Sequence, residues 1–188
     1  TLGTCNNLAN ALINVDQFDE AHIHHNETYN ERLEKYGQDH IDVLQSLNNI
    51  ASLHDARGNL FYQQCCDNWN FDDDADNTNA LSLLNSANNE WKRAVDILKQ
   101  VASRREIVLG HYHMETINAL INVAHDLLKQ VDSNDVYYNY GESMIYYNKA
   151  LVRLQLRYGY KNPNTLDCAD TIATTMDVQG NDTTGAIA

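Results

Sequence analysis

VLQSLNNIASLHDARGN, residues 43–59, is the stretch whose reading decides the fold. Its apolar residues Val43, Leu44, Leu47, Ile50 and Ala51 recur at three- and four-residue steps, on one side of a 3.6-residue helical period. A Gly-x-x-His turn (Gly37, His40) stands ahead of it, and Gly58-Asn59 reads as its C-cap. The pattern returns along the chain. Moving back 42 residues places Leu44, Asn48, Asn49, Ile50 and Ala51 on Leu2, Asn6, Asn7, Leu8 and Ala9. Moving forward 73 places Gly37, His40, Leu47, Asn49 and Ala51 on Gly110, His113, Leu120, Asn122 and Ala124. A further 49 places Gly110, Ile117, Val123 and Ala124 on Gly159, Leu166, Ile172 and Ala173. The unit is therefore 42 residues, with 31 extra residues in the second interval and 7 in the third. Such periods mark a solenoid, in which no repeat buries its apolar face without its neighbours.

At Leu47-Asn48-Asn49-Ile50-Ala51, Gly58, Ala94, Leu109-Gly110 and Asn162-Pro163-Asn164-Thr165-Leu166 the chain resembles the tetratricopeptide repeats of kinesin light chains. The resemblance implies an all-α, tetratricopeptide-type α-solenoid: a right-handed superhelix of antiparallel helix pairs, about three and a half repeats with one long insertion. It also implies a scaffold that receives a peptide or partner segment in a concave groove. The family's own partners are the kinesin heavy chain and cargo. The same repeat also serves as a regulatory or sensor region in larger signalling proteins such as nucleotide-binding ATPases, and that is the alternative function.

The expected repeats span 1–40, 41–113 and 114–162, followed by a half repeat at 163–180. First helices are expected over 2–15, up to Gly58, over 115–129 and up to Gly180-Asn181. Second helices are expected over 18–36, from about 90, and over 142–158. The 31-residue excess falls at 60–89. Its middle, Asp67-Asn68-Trp69-Asn70-Phe71-Asp72-Asp73-Asp74-Ala75-Asp76-Asn77, is acidic and poor in aliphatics, so a partly disordered loop is expected, with helix returning from Ala80. The seven-residue excess lies around 131–141, and 181–188 reads as a flexible tail. Asn162 before the sole proline, Pro163, is the favoured order of N-cap and first helical residue.

Composition limits the function. A chain of 188 residues with 43% hydrophobic residues can bury a continuous core. A net charge of −13 argues against general affinity for nucleic acid or anionic membrane. No run reaches the roughly 18–20 apolar residues that cross a bilayer. Cys5, Cys65, Cys66 and Cys168 form neither a disulfide framework nor a CxxC zinc pair, so reduced thiols and a cytoplasmic location are expected. The sequons at Asn26 and Asn181 carry no weight without a secretory route.

No catalytic constellation is legible. His22, His24 and His25 cluster, but no cysteine or carboxylate completes a ligand set, and they are expected to lie on the surface. Asp72, Asp74 and Asp76 imitate the start of a calcium loop, yet Asn77 and Leu83 stand where Gly and Glu belong. His40 and His113 recur at the repeat period, which marks turn architecture. Nothing beside Cys65-Cys66 would lower a thiol pKa. The expectation is a non-enzymatic chain without metal or cofactor.

The informative polar residues are the recurrent amides. Asn6, Asn7, Asn48, Asn49 and Asn122 lie beside the apolar face of each first helix, and the repeat alignment adds Asn10, Gln45, Ser52, Asn118 and His125. An amide both donates and accepts, so a row of them suits an extended peptide backbone. The competing reading is that these side chains only bond between neighbouring helices. Kinesin light chains use basic groove residues for acidic cargo peptides. Here the matching positions are neutral or acidic, with Asp167 and Asp170 in the last repeat, which favours a neutral or basic peptide.

Overall fold

The computed structural model describes residues 2–72, 76–130 and 139–185, and all regular structure among them is helical. Seven helices follow in order: α1 Leu2–Ile13, α2 Phe18–Tyr36, α3 Ile41–Asn68, α4 Thr78–Leu109, α5 Met114–Lys129, α6 Tyr140–Tyr158 and α7 Pro163–Gly185. The fold is that of a tetratricopeptide-type helical repeat. Two compact units divide the chain, residues 1–105 and 106–188.

In the first unit α2 packs against both α1 and α3. Ala9, Leu12, Phe18, Ala21 and Leu53 form one buried cluster, with Ile13, Ala56 and Leu60 against its edge. Burial selects the expected face of α3: Val43, Leu44, Ile50 and Ala51 are buried and Leu47 half-buried. The α1–α2 bend is made by Asp16 at φ 60°, one of the few side chains that tolerate the left-handed region.

Gly58 does not cap α3. The helix runs on to Asn68, and Gly58 sits in its interior against the indole of Trp91 on α4. The loop expected over 60–89 is corrected accordingly: its described residues are mostly the end of α3 and the start of α4. The reason is a seven-residue spacing of small residues. Ala51, Gly58 and Cys65 are buried along α3, as are Ala80, Ala87, Ala94 and Val101 along α4. Helices that present small side chains every second turn can pack closely without large aliphatics. Where the hairpin reverses, Asn77 Nδ2 donates to the Asn70 carbonyl and its Oδ1 accepts from the Asn70 amide, both at 2.9 Å. Residues 73–75, which hold part of the calcium-loop imitation, lie outside the described residues.

The second unit stacks α6 on α5 and α7 on α6. Ile117, Leu120, Val123, Ala124 and Leu127 of α5 meet Met144, Tyr147, Ala150 and Leu154 of α6 in its interior, with Cys168 and Ile172 from α7. Burial and neighbouring Cys168 and Asp126 push the Tyr147 phenol up to about 12. Most of the seven-residue excess, 131–138, lies outside the described residues. The expected stop at Gly180-Asn181 is also corrected, because α7 continues to Gly185.

Three turns repeat in backbone detail. Gly37, Gly110 and Gly159 adopt φ of +79°, +87° and +84°, which favours glycine at each position. Three residues on, His40 and His113 accept the amides of Asp42 and Glu115 through Nδ1 at 3.2 Å, and Asn162 Oδ1 accepts that of Asn164 at 3.0 Å. The recurrent His and Asn are N-caps of first helices.

Candidate functional site

The amides of the first unit are joined in a chain. Arg105 on α4, almost fully buried, donates from Nη2 to Gln45 Oε1 at 3.1 Å. Gln45 donates to Asn49 Oδ1 at 3.0 Å, and Asn49 donates to Asn6 Oδ1 on α1 at 2.6 Å. Three helices are thus stitched by side-chain amides. For Asn6, Gln45 and Asn49 the structure favours inter-helix bonding, although each amide keeps further donor or acceptor capacity. Asn48 is half-buried, and its Oδ1 is shielded from solvent without a hydrogen-bond partner. Asn7, Asn10 and Ser52 are exposed on the same two helices, with Ser52 Oγ donating to the Asn48 carbonyl at 3.1 Å.

In the second unit Asn118 is half-buried on α5, and Asn122 and His125 are exposed. His125 Nδ1 lies 3.4 Å from Asp126 Oδ1, and Lys129 Nζ reaches the same oxygen at 3.6 Å.

A second polar cluster went unnoticed in the sequence. His54 Nδ1 meets Glu90 Oε2 at 2.6 Å, and Arg93 holds the other carboxylate oxygen at 3.0 Å. The His22 ring lies edge-on to His54, with centroids 5.9 Å apart, and its Nε2 faces Asn26 Nδ2 at 3.0 Å. A hollow of about 310 Å3 beside them is lined by Arg57, Phe61, Ser86, Asn89, Glu90 and Arg93. The clue was a carboxylate set inside the apolar stripe Ala87, Trp91, Ala94 of α4. The expectation of surface histidines is corrected: His25 is buried and His22 half-buried, because this side of α2 faces the unit's interior. Burial, then the neighbouring histidines, lowers the His25 pKa. Burial also leads the lowering at His22, followed by His54 and Arg57. Among the described residues no group of three or more His, Cys, Asp or Glu is arranged to hold a metal ion.

The thiols of Cys5, Cys65, Cys66 and Cys168 are free. Burial raises the pKa of Cys65 and Cys168, which makes them less reactive. No helix among the described residues is long and apolar enough to cross a membrane.

Stacked helix pairs with repeating capped turns and amide-bearing first helices define a helical repeat scaffold. Residues 1–42 and 78–113 match the family model described as Tetratricopeptide repeat. These two segments are thus similar to tetratricopeptide repeats, which generally mediate protein–protein interaction. No curated protein sequence matches the chain.

Proposed function

We propose that the exposed amides of α1 and α3 capture an extended segment of a partner protein. The supporting observation is the Asn49–Asn6 bond. It holds the two first helices side by side while Asn7, Asn10, Gln45 and Ser52 remain open to solvent. Exposed amides can clamp a peptide backbone whatever its side chains, and the charge of −13 favours a neutral or basic peptide. Asn122 and His125 offer the same kind of surface on α5 of the second unit, beside Asn118. The finer reading is a cargo adaptor like kinesin light chains. It rests on the Leu-Asn-Asn-Ile-Ala run at 47–51 and predicts co-purification of a motor heavy chain or its cargo. A regulatory array of a larger signalling protein is the alternative.

Fluorescence anisotropy against paired basic and acidic extended peptides tests the groove. The basic peptide should bind about tenfold tighter. Asn7→Ala with Asn10→Ala should weaken it by a further factor of about ten, with an unchanged melting temperature. Binding that ignores both asparagines, or prefers the acidic peptide, would count against the reading. Asn49→Ala should instead lower stability by about 0.5–1.5 kcal/mol, because it removes the α1–α3 bond.

A further inference from the structure

The outward side of α6 carries an apolar stripe that its own unit does not use. Ile145, Val152 and Leu156 are 66%, 52% and 69% exposed, while Met144, Tyr147, Ala150 and Leu154 on the other side are buried. With Lys149 the exposed residues advance by four, three and four positions. This is the spacing of a coiled-coil seam, with Lys149 at one of the core positions. The stripe spans 12 residues, roughly 16 Å of helix.

Local charge identifies what would cover it. Glu106 is contacted by Arg153 Nη2, by His111 Nδ1 and, at 3.4 Å, by Lys149 Nζ. One carboxylate therefore faces two permanent cations, which leaves positive charge beside an apolar seam in a chain of net charge −13. Glu142, the acidic residue of α6, stands in its first turn, away from Val152 and Leu156. A second copy of α6 fits poorly. Parallel pairing sets Lys149 against Lys149, and antiparallel pairing sets it against Val152.

We propose that this face of α6 docks an amphipathic helix of a partner protein, with apolar seam residues and an aspartate or glutamate opposite Lys149. The site is independent of the amide face on α1 and α3. An acidic partner residue there would take up the charge that Glu106 leaves over, and a wrong partner would bury an uncompensated lysine.

The probe is a labelled 21-residue helical peptide with leucine at its seam positions and one central glutamate. A matched peptide carries lysine at that place. Fluorescence anisotropy on the full chain should show the glutamate peptide binding about tenfold tighter. Lys149→Glu should reverse the order. Lys149→Gln, which adds no repulsion with Glu106, should abolish the preference. Leu156→Ser should weaken the glutamate peptide by about tenfold or more. Circular dichroism on each variant separates loss of binding from loss of fold. Equal affinity for both peptides, no binding, or no response to Leu156→Ser would overturn the proposal. So would sedimentation showing self-association that Leu156→Ser removes, which would make the face homotypic.

Discussion

At Gly58 an added Cβ would lie 2.6 Å from Nε1 and 2.7 Å from Cδ1 of Trp91. Alanine ordinarily gains about 1 kcal/mol over glycine inside a helix. Here the indole is hemmed in by Tyr62, at 5.6 Å between centroids, and by its bond to Asn59 Oδ1 at 3.2 Å. Overpacking of about 1–3 kcal/mol should outweigh the gain, so Gly58→Ala is expected to lower stability in a denaturant melt. A stabilised variant would mean that Trp91 can move aside. His25 makes a different residue-scale prediction. It is almost fully buried, and its Nε2 has no hydrogen-bond partner. Its folded pKa lies below 6.5, so the unfolded chain binds more protons as pH falls through that value. Stability is therefore flat above about pH 6.5 and declines below it, with His22 acting in the same direction. Burial works to raise the Glu106 pKa, but Arg153 and His111 outweigh it. The net lowering makes its loss fall only below the ordinary carboxylate range. Melting temperature should drop between pH 7.5 and 5.5, and His25→Gln should flatten that drop. An unchanged slope would assign the effect elsewhere.

At the scale of elements, the α3–α4 hairpin is the feature that departs most from a regular repeat. It lengthens two neighbouring helices together, and small side chains continue the packing seam into the added turns. Ala87 is fully buried in that extension. Ala87→Leu should cost about 1–3 kcal/mol, and native-state hydrogen exchange should protect amides within 60–68 and 82–89. Full exchange there, with a neutral Ala87→Leu, would describe a loop instead. The turns behave differently. Glycine at positive φ and a side-chain N-cap three residues later are local, so each works wherever the pattern recurs. That is why α2 ends at Tyr36, before Gly37, as read from residues alone.

For the molecule as a whole, periodic local signals were legible and pairings were not. The glycines at 37, 110 and 159, the caps at 40, 113 and 162, and the buried face of α3 all depend on residues a few positions apart. The continuation of α3 past Gly58 depends on Trp91, some thirty residues away. Asn6 opposite Asn49 and His54 opposite Glu90 likewise come from other helices. Among the recurrent amides, position indicated which helices would carry them. Tertiary contact decided which became structural ties and which stayed exposed to solvent. The sequence by itself determined a helical repeat with capped turns, because helix periodicity and turn chemistry are encoded over one or two turns of chain. Only the tertiary structure decided that the insertion is a packed hairpin, that His25 is interior, and that α6 carries an uncovered seam. Burial is a property of surfaces brought together from distant segments.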